Sequence, residues 1–145
     1  LALLNPNMAT PVMNHFSAVE NWVVGGHSLG GTIATNYATQ NLDLVDGLVL
    51  LSAYPTDDAA ASTDLIVTSI YGTEDGIVTA DEIDVSRADL PPTTTFVPIV
   101  GGNHAQFGYY GTQAGDNDAT ISTQEQIEQA SQAILELLKV VESQS

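Results

Sequence analysis

The stretch from Gly25 to Gly31, GGHSLGG, decides how this chain is read. It contains the pattern G-x-S-x-G as Gly26, His27, Ser28, Leu29 and Gly30. Ahead of it, residues 22–26 form a short apolar run ending in glycines; behind it, Leu29, Ile33, Ala34, Tyr37 and Ala38 recur on one helical face. Strand, tight turn and helix are therefore predicted. A serine on such a turn sits in strained backbone, and its neighbours two positions either side must be small if strand and helix are to approach closely. The turn lifts Oγ clear of the sheet and sets it at a helix N-terminus, where the dipole and the free N–H groups favour a developing negative charge. Leu29 N–H is then one oxyanion donor. Without chemistry, the same residues would make only a tight strand-to-helix connection; the flanking strand and helix supply the context that the motif requires.

Outward from this turn, apolar runs alternate with helical patterns, which predicts βα units and a parallel sheet with flanking helices. Residues 47–53 (GLVLLSA) and 65–71 (LIVTSIY) are apolar throughout, as central strands covered on both faces should be. Residues 54–64 between them hold Pro55 and Asp57-Asp58 and leave no room for a cap, so access to the top of the sheet is expected to be open. Residues 95–100 are β-rich but contain Pro98, which places that strand at a sheet edge. Asn5-Pro6 with Val12, Met13, Phe16 and Val19 predicts a helix over about 6–19. Ile83, Arg87 and Leu90 predict a short helix closed by Pro91-Pro92. Ser122 and Glu125 make a capping-box pattern ahead of Ile127, Ala130, Ile134, Leu137, Leu138 and Val141, a closing helix of about five turns.

A serine at its ordinary pKa is a poor nucleophile and needs an adjacent base oriented by a carboxylate. Asp75 stands in the glycine-bracketed loop Gly72-Thr73-Glu74-Asp75-Gly76 after the 65–71 run, and His104 follows Gly101-Gly102-Asn103 after the last strand. Glu74 and Asp64 are the other candidate acids, and Asp75 could instead serve only as a turn residue before glycine. His27 reads as a packing residue of the turn and His15 as solvated or at the edge of the core. Gln106, Phe107 and Tyr109 follow His104 closely enough to shape a pocket, although aromatic residues there are usually core. Asp116-Asn117-Asp118 opens like a calcium loop, but Ile127 stands at the twelfth position and no glycine at the sixth, which leaves a solvated turn.

Composition narrows the partners. One hundred and forty-five residues with 43% hydrophobic side chains suit a single domain. Eighteen acidic residues against Arg87 and Lys139 give a formal charge of −16, which excludes neutralising a nucleic-acid backbone or an anionic membrane. With no cysteine there is no disulfide or thiolate metal site, and with three dispersed histidines no metal or other cofactor is expected. The acidic residues are scattered rather than clustered, so the whole exterior is expected to repel itself in dilute buffer, and a halophilic source is the sharper reading. Residues 1–4 are too short for a signal core or a membrane span.

Four segments in order, GGHSLGG, LVLLSAYP (48–55), SIYGTEDGIV (69–78) and IVGGNHAQFGYYG (99–111), resemble the α/β-hydrolase superfamily, in particular its compact, uncapped esterase-like and dienelactone-hydrolase-like members. The resemblance spans essentially the whole chain. It implies Ser28 as nucleophile, His104 as general base and Asp75 as orienting acid, in the Ser, acid, His chain order of that superfamily. Dienelactone hydrolases proper carry a cysteine nucleophile; with Ser28 and no cysteine, carboxylic-ester hydrolysis is favoured over the lactone specialism. By the same resemblance the chain corresponds to strands five to eight, with residues 1–4 a stub of the fourth. The chain is then expected to be the C-terminal part of a longer protein, in which a loop after the third strand supplies the second oxyanion donor. Residues 22–26 are expected to pair with that upstream segment or with a second copy of the chain. The competing expectation is a non-catalytic fragment or binding module.

Overall fold

Apolar runs 47–53 and 65–71 do form the centre of a sheet. The computed structural model describes residues 9–144. Its strands β1 (Val23–His27), β2 (Gly47–Leu51), β3 (Ile66–Gly72) and β4 (Thr95–Ile99) lie side by side in chain order, and every pairing is parallel. The helices are α1 (Ala9–His15), α2 (Leu29–Gln40), α3 (Ala80–Ser86) and α4 (Thr123–Ser143), with 3₁₀ turns at Arg87–Asp89 and Ala105–Phe107.

Alternate residues of each strand feed opposite cores. Leu48, Leu50 and Val67 pack with Met13 of α1 and Ala34, Tyr37 and Ala38 of α2. Val49, Ile70 and Ile99 face the other way, onto Ala130, Leu137 and Val141 of α4. Both faces of β2 and β3 are thus covered, which is why their sequences run apolar without alternation. Each fully buried Leu or Ile contributes roughly 1.5–3 kcal/mol. Tyr71, Val78 and Ile83 close a smaller cluster between β3 and α3.

Several boundaries depart from expectation for identifiable reasons. Helix α1 stops at His15 rather than continuing to 19, because Val12, Phe16 and Val19 are exposed and only Met13 of that stripe is buried. Residues 6–8 of the predicted helix, its Asn5-Pro6 cap and the 1–4 stub lie outside the described residues. Strand β2 ends at Leu51 because Ser52 turns into positive φ (43°). Pro98 sits on the edge strand β4, opposite Tyr71 of β3. The Ser122–Glu125 capping box forms with both of its reciprocal bonds, and α4 runs 21 residues. Thr79 and Glu82 make a second such box ahead of α3 that was not foreseen.

Because the strands are parallel, their C-terminal ends share one edge of the sheet, and the loops there carry Ser28, Asp75 and His104. On its outer side β1 pairs with no strand among the described residues. An apolar groove of about 490 Å³ runs beside it, lined among others by Ala9, Met13, Trp22, Ile33 and Tyr37. No helix among the described residues is long and apolar enough to cross a membrane.

Candidate active site

Ser28 lies between β1 and α2 at φ 54°, ψ −129°, one of two non-glycine residues with positive φ among those described. Such backbone costs about 1–3 kcal/mol and persists only where its surroundings enforce it. Two features do so here. Ser28 N–H donates to Leu51 O at the end of β2 (3.0 Å), and Ser28 O accepts from Gly31 N–H (2.9 Å). The hydroxyl is not used as a side-chain cap of α2. Helix α2 begins at Leu29, whose N–H is among the first-turn donors that a helix cannot satisfy internally.

The glycine requirement of the turn differs from the motif's spacing. A Cβ on Gly26 would overlap the backbone of Gly30 and Gly31, so position 26 tolerates no side chain. A Cβ on Gly30 meets nothing within 4 Å, whereas one on Gly31 would overlap Ala53 Cβ. The close approach is therefore between Gly26 and the backbone of the first helical turn, and the second small residue it requires is Gly31 rather than Gly30.

His104 and Asp75 meet. His104 Nδ1 lies 2.8 Å from Asp75 Oδ2, and both residues are buried. A carboxylate can only accept, so Nδ1 carries the hydrogen of this bond, and in the neutral ring that leaves the lone pair on Nε2. The other Asp75 oxygen accepts the backbone N–H groups of Ile77 (2.8 Å) and Val78 (2.7 Å), which fixes the carboxylate toward the ring. Neither alternative acid reaches His104: Glu74 accepts from Thr73 (3.4 Å), and Asp64 lines a groove at the N-terminal end of β3, away from this edge.

The His104 loop is held from several sides. Thr73 N–H donates to Ile99 O (3.1 Å), Glu74 N–H to Gly102 O (2.8 Å), and Gly101 N–H to Thr73 Oγ1 (2.9 Å). Fully buried Gln126 of α4 accepts from Asn103 N–H (2.9 Å) and donates to Asn103 O (2.7 Å). A Cβ on Gly72 would overlap Gly102 O, which accounts for the glycine there.

His27 packs as expected, and its surroundings are aromatic. Its ring centroid lies 4.4 Å from His104, 5.4 Å from a stacked Tyr110 and 5.8 Å from Phe107. Nε2 is buried with no hydrogen-bond partner among the described residues. Burial, and next the neighbouring His104, push His27 below the ordinary imidazole range, against opposing pulls from Asp75 and Asp116. His15 is exposed, edge-on to Phe16. Tyr109 and Tyr110 are not core: they are 86% and 61% exposed at the mouth of this edge.

Asp116 corrects the reading of 116–118 as a solvated turn. Its half-buried carboxylate accepts from the backbone N–H of Gly76 (3.1 Å), His104 (3.2 Å) and Ala105 (2.9 Å). Periodicity carries no trace of such long-range contacts, and neither Gln126 nor Asp116 was anticipated. Among the described residues no group of three or more His, Asp or Glu side chains is placed to hold a metal ion.

A family model described as "Alpha/beta hydrolase family" matches residues 1–128. No curated protein matches. Among solved structures, a thermophilic esterase from Thermogutta terrifontis superposes with TM-score 0.73 at 16% identity, over 94% of this chain and 71% of that one. A Nitrososphaera gargenis structure, from work on that organism's carboxylesterases, gives 0.68 at 12%, over 97% and 72%. An alpha-beta serine hydrolase homologue from Coxiella burnetii gives 0.64 at 17%, over 89% and 54%. At these identities the likeness is one of fold, and it leaves more than a quarter of each of these larger chains unmatched. With the parallel sheet, the strained turn at Ser28 and a match over most of its length, the chain belongs to the alpha/beta hydrolase family.

Proposed function

We propose that this protein hydrolyses carboxylic esters through an acyl-enzyme, with Ser28 as nucleophile, His104 as general base and Asp75 as the acid that orients it. The observation that carries this reading is the buried His104–Asp75 pair, 2.8 Å apart, on the sheet edge that also bears the Ser28 turn. In the proposed cycle Ser28 Oγ attacks the ester carbonyl as His104 Nε2 takes its proton, and the alcohol leaves with that proton. His104 then takes a proton from water, whose oxygen attacks the acyl carbonyl; the Ser28 Oγ–acyl bond breaks, the acid leaves and His104 returns the proton to Oγ. Leu29 N–H supplies one oxyanion donor. The second comes from outside the described residues, from the same upstream segment, or a second copy, that pairs with residues 22–26. Among the described residues no strand pairs with the outer side of β1, and this edge with the groove beside it supports that pairing, since an open edge is a template for another strand.

The charge of −16 supports a protein adapted to saline surroundings. Hydrolysis of short p-nitrophenyl esters by the full-length protein tests the chemistry. Ser28→Ala and His104→Ala should each lose about 10³-fold or more in kcat with the fold intact, since such groups act as a unit. Retention of most activity in either variant would leave a hydrolase-like module without this mechanism.

A further inference from the structure

We propose that Asp116 is a positioning residue: its carboxylate clasps the loop of the acid to the loop of the base and so sets the Asp75–His104 separation. This rests on reading those residues as the acid and base of the site. The geometry is specific. Oδ1 accepts from Gly76 N–H, the residue that follows Asp75, and from His104 N–H itself, while Oδ2 accepts from Ala105 N–H. One carboxylate thereby bonds two loops that lie 28 residues or more apart in the chain, from a third segment that turns through positive φ at Gly111 and Gly115.

A plain helix cap would explain the bonds to His104 and Ala105, the N-cap and first residue of the Ala105–Phe107 3₁₀ turn. It does not explain the reach to Gly76. Nor does a cationic partner compete for the carboxylate: Arg87 pairs with Asp84 and Lys139 with Glu136. The charge of Asp116 is met by backbone N–H dipoles, and a charged acceptor strengthens such bonds over neutral ones. With Asp75 held by Ile77 and Val78, and Asn103 by Gln126, Asp116 completes a frame in which neither partner can drift from the other.

The test uses the full-length protein with Asp116→Asn, which keeps size and one acceptor, Asp116→Ala, which keeps neither, and exposed Asp118→Asn as control. On p-nitrophenyl acetate, kcat should fall in the order wild type, Asn, Ala, reaching about 10²-fold for Ala, since misplacement by about 1 Å has that effect. KM should stay within about twofold, because loss of orientation between acid and base does not touch the acyl site. The downfield proton resonance of His104 Nδ1–H should broaden or move upfield in Asp116→Asn and stay unchanged in Asp118→Asn. A wild-type kcat in Asp116→Asn, measured well below its melting temperature, together with an unmoved resonance overturns the clasp. If Asp116→Ala does not fold, the Asn variant decides. If the wild-type protein cleaves no ester, the hydrolase reading fails, and the resonance alone still tests the clasp.

Discussion

At the scale of single residues, the turn around Ser28 separates what a motif encodes from what space requires. Gly26 is demanded by contact with the backbone of Gly30 and Gly31, while Gly30 itself faces open space. The sequence made these glycines equivalent because spacing alone cannot tell a residue that clashes from one clashed against. His27 adds a consequence for stability. A histidine held below its ordinary pKa by burial binds its proton more readily when unfolded, so its contribution to stability falls as pH drops through the unfolded value of about 6.5. His27→Phe keeps a ring against His104 and Tyr110 and removes the titration. The variant should therefore lose less melting temperature than wild type between about pH 7 and pH 5. Thermal melts across that range check it, and parallel losses would mean that His27 titrates normally.

At the scale of elements, strands and helices were legible and the ties between loops were not. The runs in 47–53 and 65–71 announced central strands, Pro98 an edge and Ser122–Glu125 a helix start, because each signal is local. Asp75 and His104, proposed here as acid and base, stand out in the sequence because both lie just past a strand end, and the structure brings their side chains together. Gln126 does not: it lies among the apolar positions of α4 and reads as an interruption, yet both ends of its amide bond the backbone of Asn103. Gln126→Met should leave a buried N–H and a buried C=O unpaired, a loss of about 2–4 kcal/mol. In a domain of this size or somewhat larger that is a fall in melting temperature of roughly 5–15 °C. A fall below roughly 2 °C would show that the amide is not holding the His104 loop.

At the scale of the whole molecule, charge and the open edge set the behaviour. Exposed carboxylates such as Asp57, Asp58, Asp81, Glu128 and Glu142 have almost no cations to meet. Their repulsion reaches about 30 Å at 0.01 M salt and about 3 Å at 1 M. Melting temperature should therefore rise steeply between dilute buffer and molar NaCl, and a flat profile would remove the saline reading. The central claim concerns Ser28, and covalent capture addresses it most directly. Full-length protein treated with a fluorophosphonate and digested for mass spectrometry should carry the adduct on the peptide holding Ser28. Labelling should be slowed in His104→Ala and absent in Ser28→Ala. An unmodified Ser28, or equal labelling of the wild-type and His104→Ala proteins, would contradict the account.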